Sequence, residues 1–140
     1  MARIDLIAEE VAMLMPMIAR RILLGFFQSV SITQTQIFTI ITIAEGAPIR
    51  LSELSQKLNI SAPTVTGIVD RLEKLAYVRR IPDRADRRAI NVDLTPKGRA
   101  LAQKFKSTIK SKWKELLAQL PEKEQEQYAA ILRKIQRNMQ

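Results

Sequence analysis

The chain has 140 residues, 46% of them hydrophobic, and a formal net charge of +9, which suits one domain, or one compact module with appended helices. It has no cysteine and no histidine, which excludes disulfides, thiolate and imidazole metal sites, and every Ser-His-Asp or Cys-His arrangement. The charge sums to −1 over residues 1–48, +3 over 49–95 and +7 over 96–140. A basic excess suggests a polyanion as partner, usually nucleic acid and sometimes a membrane surface, with simple solubility as the alternative.

Asp5, Glu9 and Glu10 stand where a secretory signal would carry positive charge. Ile22 to Ala44 holds no charged residue and is long enough to span a bilayer. Its nine Gln, Ser and Thr side chains make insertion costly, so a buried soluble segment and a cytoplasmic protein are expected. Ile4, Ile7, Val11, Leu14, Ile18, Ile22 and Phe26 recur at helical spacing. Pro16, inside that pattern, should kink the helix or mark its true start. The apolar face is wide enough that a partner helix or second subunit is expected to cover part of it.

Thr33-Gln34-Thr35-Gln36 has the form of a capping box. The helix it opens turns Ile37, Ile40, Ile41 and Ala44 inward and ends near Gly46 and Pro48. A short helix, Leu51 to Leu58, follows, with Ser52 as candidate N-cap offering its first turn to a phosphate. Asn59-Ile60 makes a turn. The next helix starts at Ser61, tolerates Pro63 in its first turn and buries Val65, Ile68, Val69, Leu72 and Leu75.

Tyr77 to Ile81 and Ala89 to Leu94 alternate as strands do, with Ile90, Val92 and Leu94 on one face. Thr95-Pro96 caps a long helix whose apolar stripe runs through Leu101, Phe105, Ile109, Trp113, Leu117 and Leu120. Lys106, Lys110 and Lys114 make a second stripe, read as a solvated face. Pro121 opens a last helix bearing Tyr128, Ile131, Leu132 and Ile135.

The expected fold is mainly α with a small β-hairpin, a winged helix-turn-helix. Residues 31–95 would form the DNA-binding lobe, flanked by the helical segments 1–30 and 96–140. The second helix of the motif enters the major groove by its N-terminal turn. The hairpin loop, "RRIPDRADRRAI" from Arg79 to Ile90, holds five arginines and two aspartates. Arg84, Arg87 and Arg88 at its tip would meet the backbone and the minor groove, where concentrated negative potential favours arginine. Asp86, two residues from Arg88, is spaced to hydrogen-bond its guanidinium and fix the fork.

Leu51 to Gly98 resembles the multiple antibiotic resistance regulator (MarR) family. The marks are Thr64-Val65-Thr66 running into Val69-Asp70-Arg71-Leu72-Glu73, the Asp86-Arg87-Arg88 wing, and the closing Leu94-Thr95-Pro96-Lys97-Gly98. The resemblance implies an obligate homodimer on a pseudo-palindromic double-stranded operator, with residues 1–30 and 96–140 as its helical dimerisation region, and for many members a small, often phenolic, effector; the expected action is that of a repressor. It assigns Ser61, Pro63, Thr64 and Thr66 to the recognition segment and Arg88, oriented by Asp86, to the wing. Ala62, Gly67 and Arg71 on the same helix, with Arg84 and Arg87, complete the candidate interface.

Two residues depart from the family pattern. Gly67 stands where some relatives place a base-reading arginine, which leaves direct readout thin and shifts weight to thymine methyl contacts and DNA shape. Ala76 stands where glycine is usual before the first wing strand, at a cost on the order of 1 kcal/mol if the backbone there is left-handed.

No phosphate-binding loop, carboxylate pair or nucleophile-base pair supports an enzyme, and no cofactor, metal or effector residue is identified. Met13, Met15 and Met17 suggest Cu(I) ligands by softness, but residues two apart on a helix diverge. Glu122, Glu124 and Glu126 fit a helix's first turn better than a cation site. The alternatives carried forward are an architectural DNA-coating protein with little sequence preference and a winged helix that binds protein.

Overall fold

A computed structural model describes residues 2–139. The elements are α1 (Arg3–Ser29), α2 (Gln34–Gly46), β1 (Ile49–Arg50), α3 (Leu51–Leu58), α4 (Ala62–Lys74), β2 (Val78–Pro82), β3 (Ile90–Leu94), α5 (Pro96–Leu117) and α6 (Glu122–Asn138). They divide into two compact units, Gly25–Lys106 and a second made of Met1–Leu24 with Ser107–Gln140.

The unit Gly25–Lys106 is the winged helix. Its core joins Phe26 and Ile32 to Ile37, Ile40 and Ile43 of α2, Leu54 of α3, Val65, Val69 and Leu72 of α4, Val92 and Leu94 of β3, and Leu101 and Ala102 of α5. Phe105 stands edge-on to Phe26, ring centroids 5.0 Å apart, and to Phe38 at 6.2 Å, a geometry that ring quadrupoles favour. The capping box forms as its residues require: Gln36 N donates to Thr33 Oγ1 at 3.1 Å, and Thr33 N donates to Gln36 Oε1 at 3.0 Å. Within α2, buried Thr39 satisfies its hydroxyl on the Thr35 carbonyl at 2.8 Å.

Three antiparallel strands lie in the order β1-β3-β2. Ile49 and Arg50 face Val92 and Asn91, and Val78 to Pro82 face Leu94 to Ile90. The face expected for Ile90, Val92 and Leu94 is interrupted, because Ile90 is exposed at the strand's start while Val92, Asp93 and Leu94 are all buried. Asp93 is tolerated there because its carboxylate accepts from the Leu94 amide at 2.7 Å and from the Arg99 guanidinium at 3.3 Å.

The turn between α4 and β2 is closed by main-chain bonds from Ala76 N to Glu73 O at 2.9 Å and Tyr77 N to Leu72 O at 2.9 Å. It holds Ala76 at φ 66°, the left-handed conformation that an alanine adopts at a cost. Thr95 then seats α5: its hydroxyl donates to Ala76 O at 2.5 Å and accepts from Gly98 N at 3.1 Å. Leu75, expected inside, is exposed at the end of α4, while Ile68 is half-buried and packs against the core.

In the other unit, α1 stays helical through Pro16. Trp113 of α5 packs on Tyr128 of α6, ring centroids 5.7 Å apart. The Gln125 amide group donates to Leu117 O at 2.8 Å and Leu120 O at 2.9 Å, satisfying carbonyls that the end of α5 leaves open. A groove of about 660 Å³ runs between α1 and the end of α5, lined by Leu14, Met15, Ile18, Trp113, Leu117 and Tyr128 among others. Ile4, Leu6, Ile7, Val11, Leu14 and Met17 of α1 are exposed, as are Ile131, Leu132 and Ile135 of α6. No residue of α6 is buried. No described helix is long and apolar enough to cross a membrane.

Candidate nucleic-acid interface

Helices α3 and α4 are joined by the three residues Asn59, Ile60 and Ser61. Asn59 takes the left-handed conformation at φ 53° and its N–H donates to Gln56 O, a C-cap role that asparagine fills with little strain. Ile60 N bonds Ser55 O at 3.2 Å, and the Ser55 hydroxyl returns to Ile60 O at 2.6 Å. Ser61 then caps α4, its Oγ accepting from Thr64 N at 3.3 Å and lying 2.8 Å from Thr64 Oγ1. With Val65, Val69 and Leu72 turned into the core, Ser61, Ala62, Pro63, Thr64, Thr66, Gly67 and Arg71 are left exposed on α4. The Ser61 and Thr64 hydroxyls bond to each other, so each presents a fixed, partly used oxygen rather than a free rotor.

Gly67 is open: a Cβ there would meet no heavy atom within 4 Å. Nothing in the fold forces glycine at this position.

Ser52 does not cap α3. Arg50 occupies that position without a side-chain cap bond, and Ser52 already lies inside the helix. The cause is tertiary: Ile49 and Arg50 pair with Val92 and Asn91, which holds Arg50 extended and starts the helix at Leu51. Ser52 nonetheless shares a shallow pocket of about 370 Å³ with Arg50, Asp86, Arg88, Ala89 and Ile90.

The wing differs from its expected form in which acid does what. Asp86 does not hold the Arg88 guanidinium; its Oδ1 accepts from the Arg88 main-chain N–H at 3.0 Å. Aspartate reaches the amide two residues on within its own turn, and that bond takes the carboxylate first. Asp83, to which the sequence reading gave no role, is the hub. Its Oδ1 accepts from Ala85 N at 2.8 Å and Asp86 N at 3.3 Å, while Oδ2 meets Arg50 Nε at 3.1 Å and the neighbouring guanidinium nitrogen at 3.0 Å. The Ala85 amide, with Arg50 and the Asp86 amide, holds the Asp83 carboxyl below the usual carboxylate range against a smaller opposing effect of burial. Both loop acids therefore bond main chain, and Asp83 also bonds Arg50. Among the described residues no acid lies within ion-pair distance of Arg84, Arg87 or Arg88, and all three are exposed.

A second link joins the wing to α4. Arg80 of β2 bonds Asp70 at 2.5 Å and Glu73 at 2.8 Å through its two terminal nitrogens, and its N–H meets Glu73 Oε2 at 3.3 Å. Arginine's planar fork suits two carboxylates at once. Sequence reading noted Asp70 and Glu73 only as motif letters; the missing signal was long-range, since Arg80 is ten residues from Asp70. Among the described residues no group of three acids could hold a metal ion.

The arrangement is an exposed helix face of small hydroxyl and apolar side chains beside a cationic loop whose main chain is tied down. Residues 32–90 match the model of the MarR family. The HTH-type transcriptional regulator PrsX of Escherichia coli is 36% identical over 111 residues, covering 79% of this chain and 64% of that protein. The chain therefore spans just under two thirds of that relative's length. The homoprotocatechuate degradative operon repressor of Escherichia coli is 25% identical, over 81% of this chain and 80% of its own. Among solved structures, the S. aureus MepR–DNA complex superposes with a TM-score of 0.68 at 26% identity, covering 92% of this chain and 97% of that one. The winged helix, its recognition segment and these relatives agree with that match: residues 32–90 form a MarR-family domain.

Proposed function

We propose that this chain is a homodimeric, sequence-specific DNA-binding transcription regulator, a repressor whose affinity for its operator changes when a small ligand binds. The observation that carries the reading is the trio Arg84, Arg87 and Arg88, exposed and free of acid partners among the described residues. Guanidinium groups in that condition are available to phosphates and to the narrow minor groove. Ser61, Ala62, Pro63, Thr64, Thr66, Gly67 and Arg71 supply the major-groove face. With no Asn, Gln or acid among them, thymine methyl contacts and duplex shape carry much of the selectivity.

MepR, solved on DNA, supports the partner, and the name of the homoprotocatechuate operon repressor supports repression. The exposed apolar faces of α1 and α6 support the dimer, with residues 1–30 and 96–140 as its dimerisation region and 31–95 as the lobe that meets DNA. Two recognition helices in such a dimer would enter successive major grooves roughly 34–36 Å apart.

Selection of random duplexes by the purified protein at near-physiological salt, followed by footprinting, tests this. An enriched inverted repeat with half-sites one turn apart is expected. Continuous coverage of any duplex, with nothing enriched, would replace it with the DNA-coating reading.

A further inference from the structure

Two carboxylates and two main-chain bonds shape the wing tip, and one of the acids, Asp83, also ties it to the rest of the lobe. Residues 83–89 form an irregular loop closed at its base by Asp83 N on Ala89 O at 3.2 Å and, inside, by Ala89 N on Asp86 O at 3.1 Å. These main-chain bonds leave the amides of Ala85, Asp86 and Arg88 to side chains. Asp83 takes the first two and Asp86 the third. Asp83 alone also reaches out of the loop, to Arg50 at the junction of β1 and α3. Its side chain is 12% exposed against 43% for Arg50, so the acid is the shielded partner and the arginine the movable one. The loop is thereby tied to the edge of the helix-turn-helix.

From this geometry we infer that Asp83 is a positioning residue for DNA binding: it holds the wing tip in the form that presents Arg84, Arg87 and Arg88 together. The inference rests on the DNA-binding reading and adds a residue that touches no DNA. It also makes a prediction opposite in sign to simple electrostatics. Asp83 is a negative charge in the segment offered to a polyanion, so removing it should strengthen binding if charge were its only effect. A positioning role demands the reverse. With the tip loosened, the three arginines must be ordered at the moment of binding, and that conformational entropy is subtracted from affinity.

The experiment compares wild type, Asp83→Asn and Asp83→Glu in duplex binding across a salt series, with amide hydrogen exchange read at Ala85, Asp86 and Arg88. Asp83→Asn removes the charge. Asp83→Glu keeps it and displaces the carboxylate by one methylene, away from the Ala85 amide. Both variants should bind at least about threefold more weakly, with the slope of log K on log[salt] near that of wild type, because the arginines still reach the phosphates and only their ordering is penalised. Exchange should quicken in the loop while the melting of the rest of the lobe stays near wild type. Asp83→Asn binding as tightly as wild type or tighter, Asp83→Glu behaving as wild type, or unchanged exchange at the three amides would each overturn the inference. Failure of the wild-type protein itself to bind any duplex would instead sink the DNA-binding reading, and the inference with it.

Discussion

Gly98 presses its Cα against the main chain of Tyr77, so that a Cβ on residue 98 would lie 2.0 Å from the Tyr77 carbonyl oxygen and 3.0 Å from its carbon. Neither atom belongs to a side chain that could swing away. The same carbonyl accepts from Thr95 N at 3.1 Å, so the start of α5 and the entry to β2 are fixed to one another. Gly98→Ala must push the two apart. It should destabilise the protein by on the order of 1–3 kcal/mol, seen as a lower urea midpoint with an unchanged m-value. A wild-type midpoint would mean that this contact yields more easily than its geometry says.

Ala76, two residues before β2, is the complementary case. Its φ of 66° places a Cβ where only glycine is unstrained, so Ala76→Gly should stabilise by about 1 kcal/mol. Thermal or urea unfolding decides it. A destabilised variant would show that entropy lost from the unfolded chain outweighs the strain relieved.

Gly67 points outward with empty space at its Cβ. Gly67→Arg should leave stability within about 0.5 kcal/mol of wild type or improve it, since glycine inside a helix costs roughly 1 kcal/mol relative to alanine. On DNA the added guanidinium should sharpen preference for guanine at one position, by about 1–3 kcal/mol for a bidentate contact. The readout is competition among single-base operator variants. An unaltered preference would place residue 67 away from the base edges.

The outward face of α1 supplies a test of assembly. Leu14 is exposed within this chain and lines the groove beside Trp113. On the dimer reading, Leu14→Glu would bury two unpaired carboxylates, one from each protomer, at a cost on the order of 3 kcal/mol each, about ten-thousandfold in the dimer's Kd. Sedimentation should then find monomer at concentrations where wild type is dimeric, with the lobe's fold retained. A dimer of wild-type strength would place the interface elsewhere.

Local signals were the readable ones. The Thr33–Gln36 capping box, the Asn59 turn, the Ser61 cap and the Thr95-Pro96 start each depend on residues a few positions apart, and each formed as its chemistry requires. Misreadings arose where a distant strand intervened and, at Asp86, where a local turn offered a nearer partner. Ser52 looks like a cap by composition, but β1 pairs with β3 and moves the helix start onto Arg50. Asp86 and Arg88 have the spacing of an ion pair, yet the turn brings the carboxylate to an amide. Asp83 and Arg50 lie 33 residues apart, and no periodicity connects them. Asp93 reads as an outward residue of an alternating strand and is buried because Arg99, one turn into α5, comes back to meet it.

Helix α6 contributes 17 residues and buries none of them fully, with Gln125 and Tyr128 alone half-covered by its own chain. A helix of that length has marginal stability in water unless an apolar face is covered. On the dimer reading, its order is supplied by mass action: Ile131, Leu132 and Ile135 are covered only while a partner is bound. Dilution would then fray the C-terminus before it disturbs the winged helix, so the amount of protein in the cell would itself set how much of each protomer is folded.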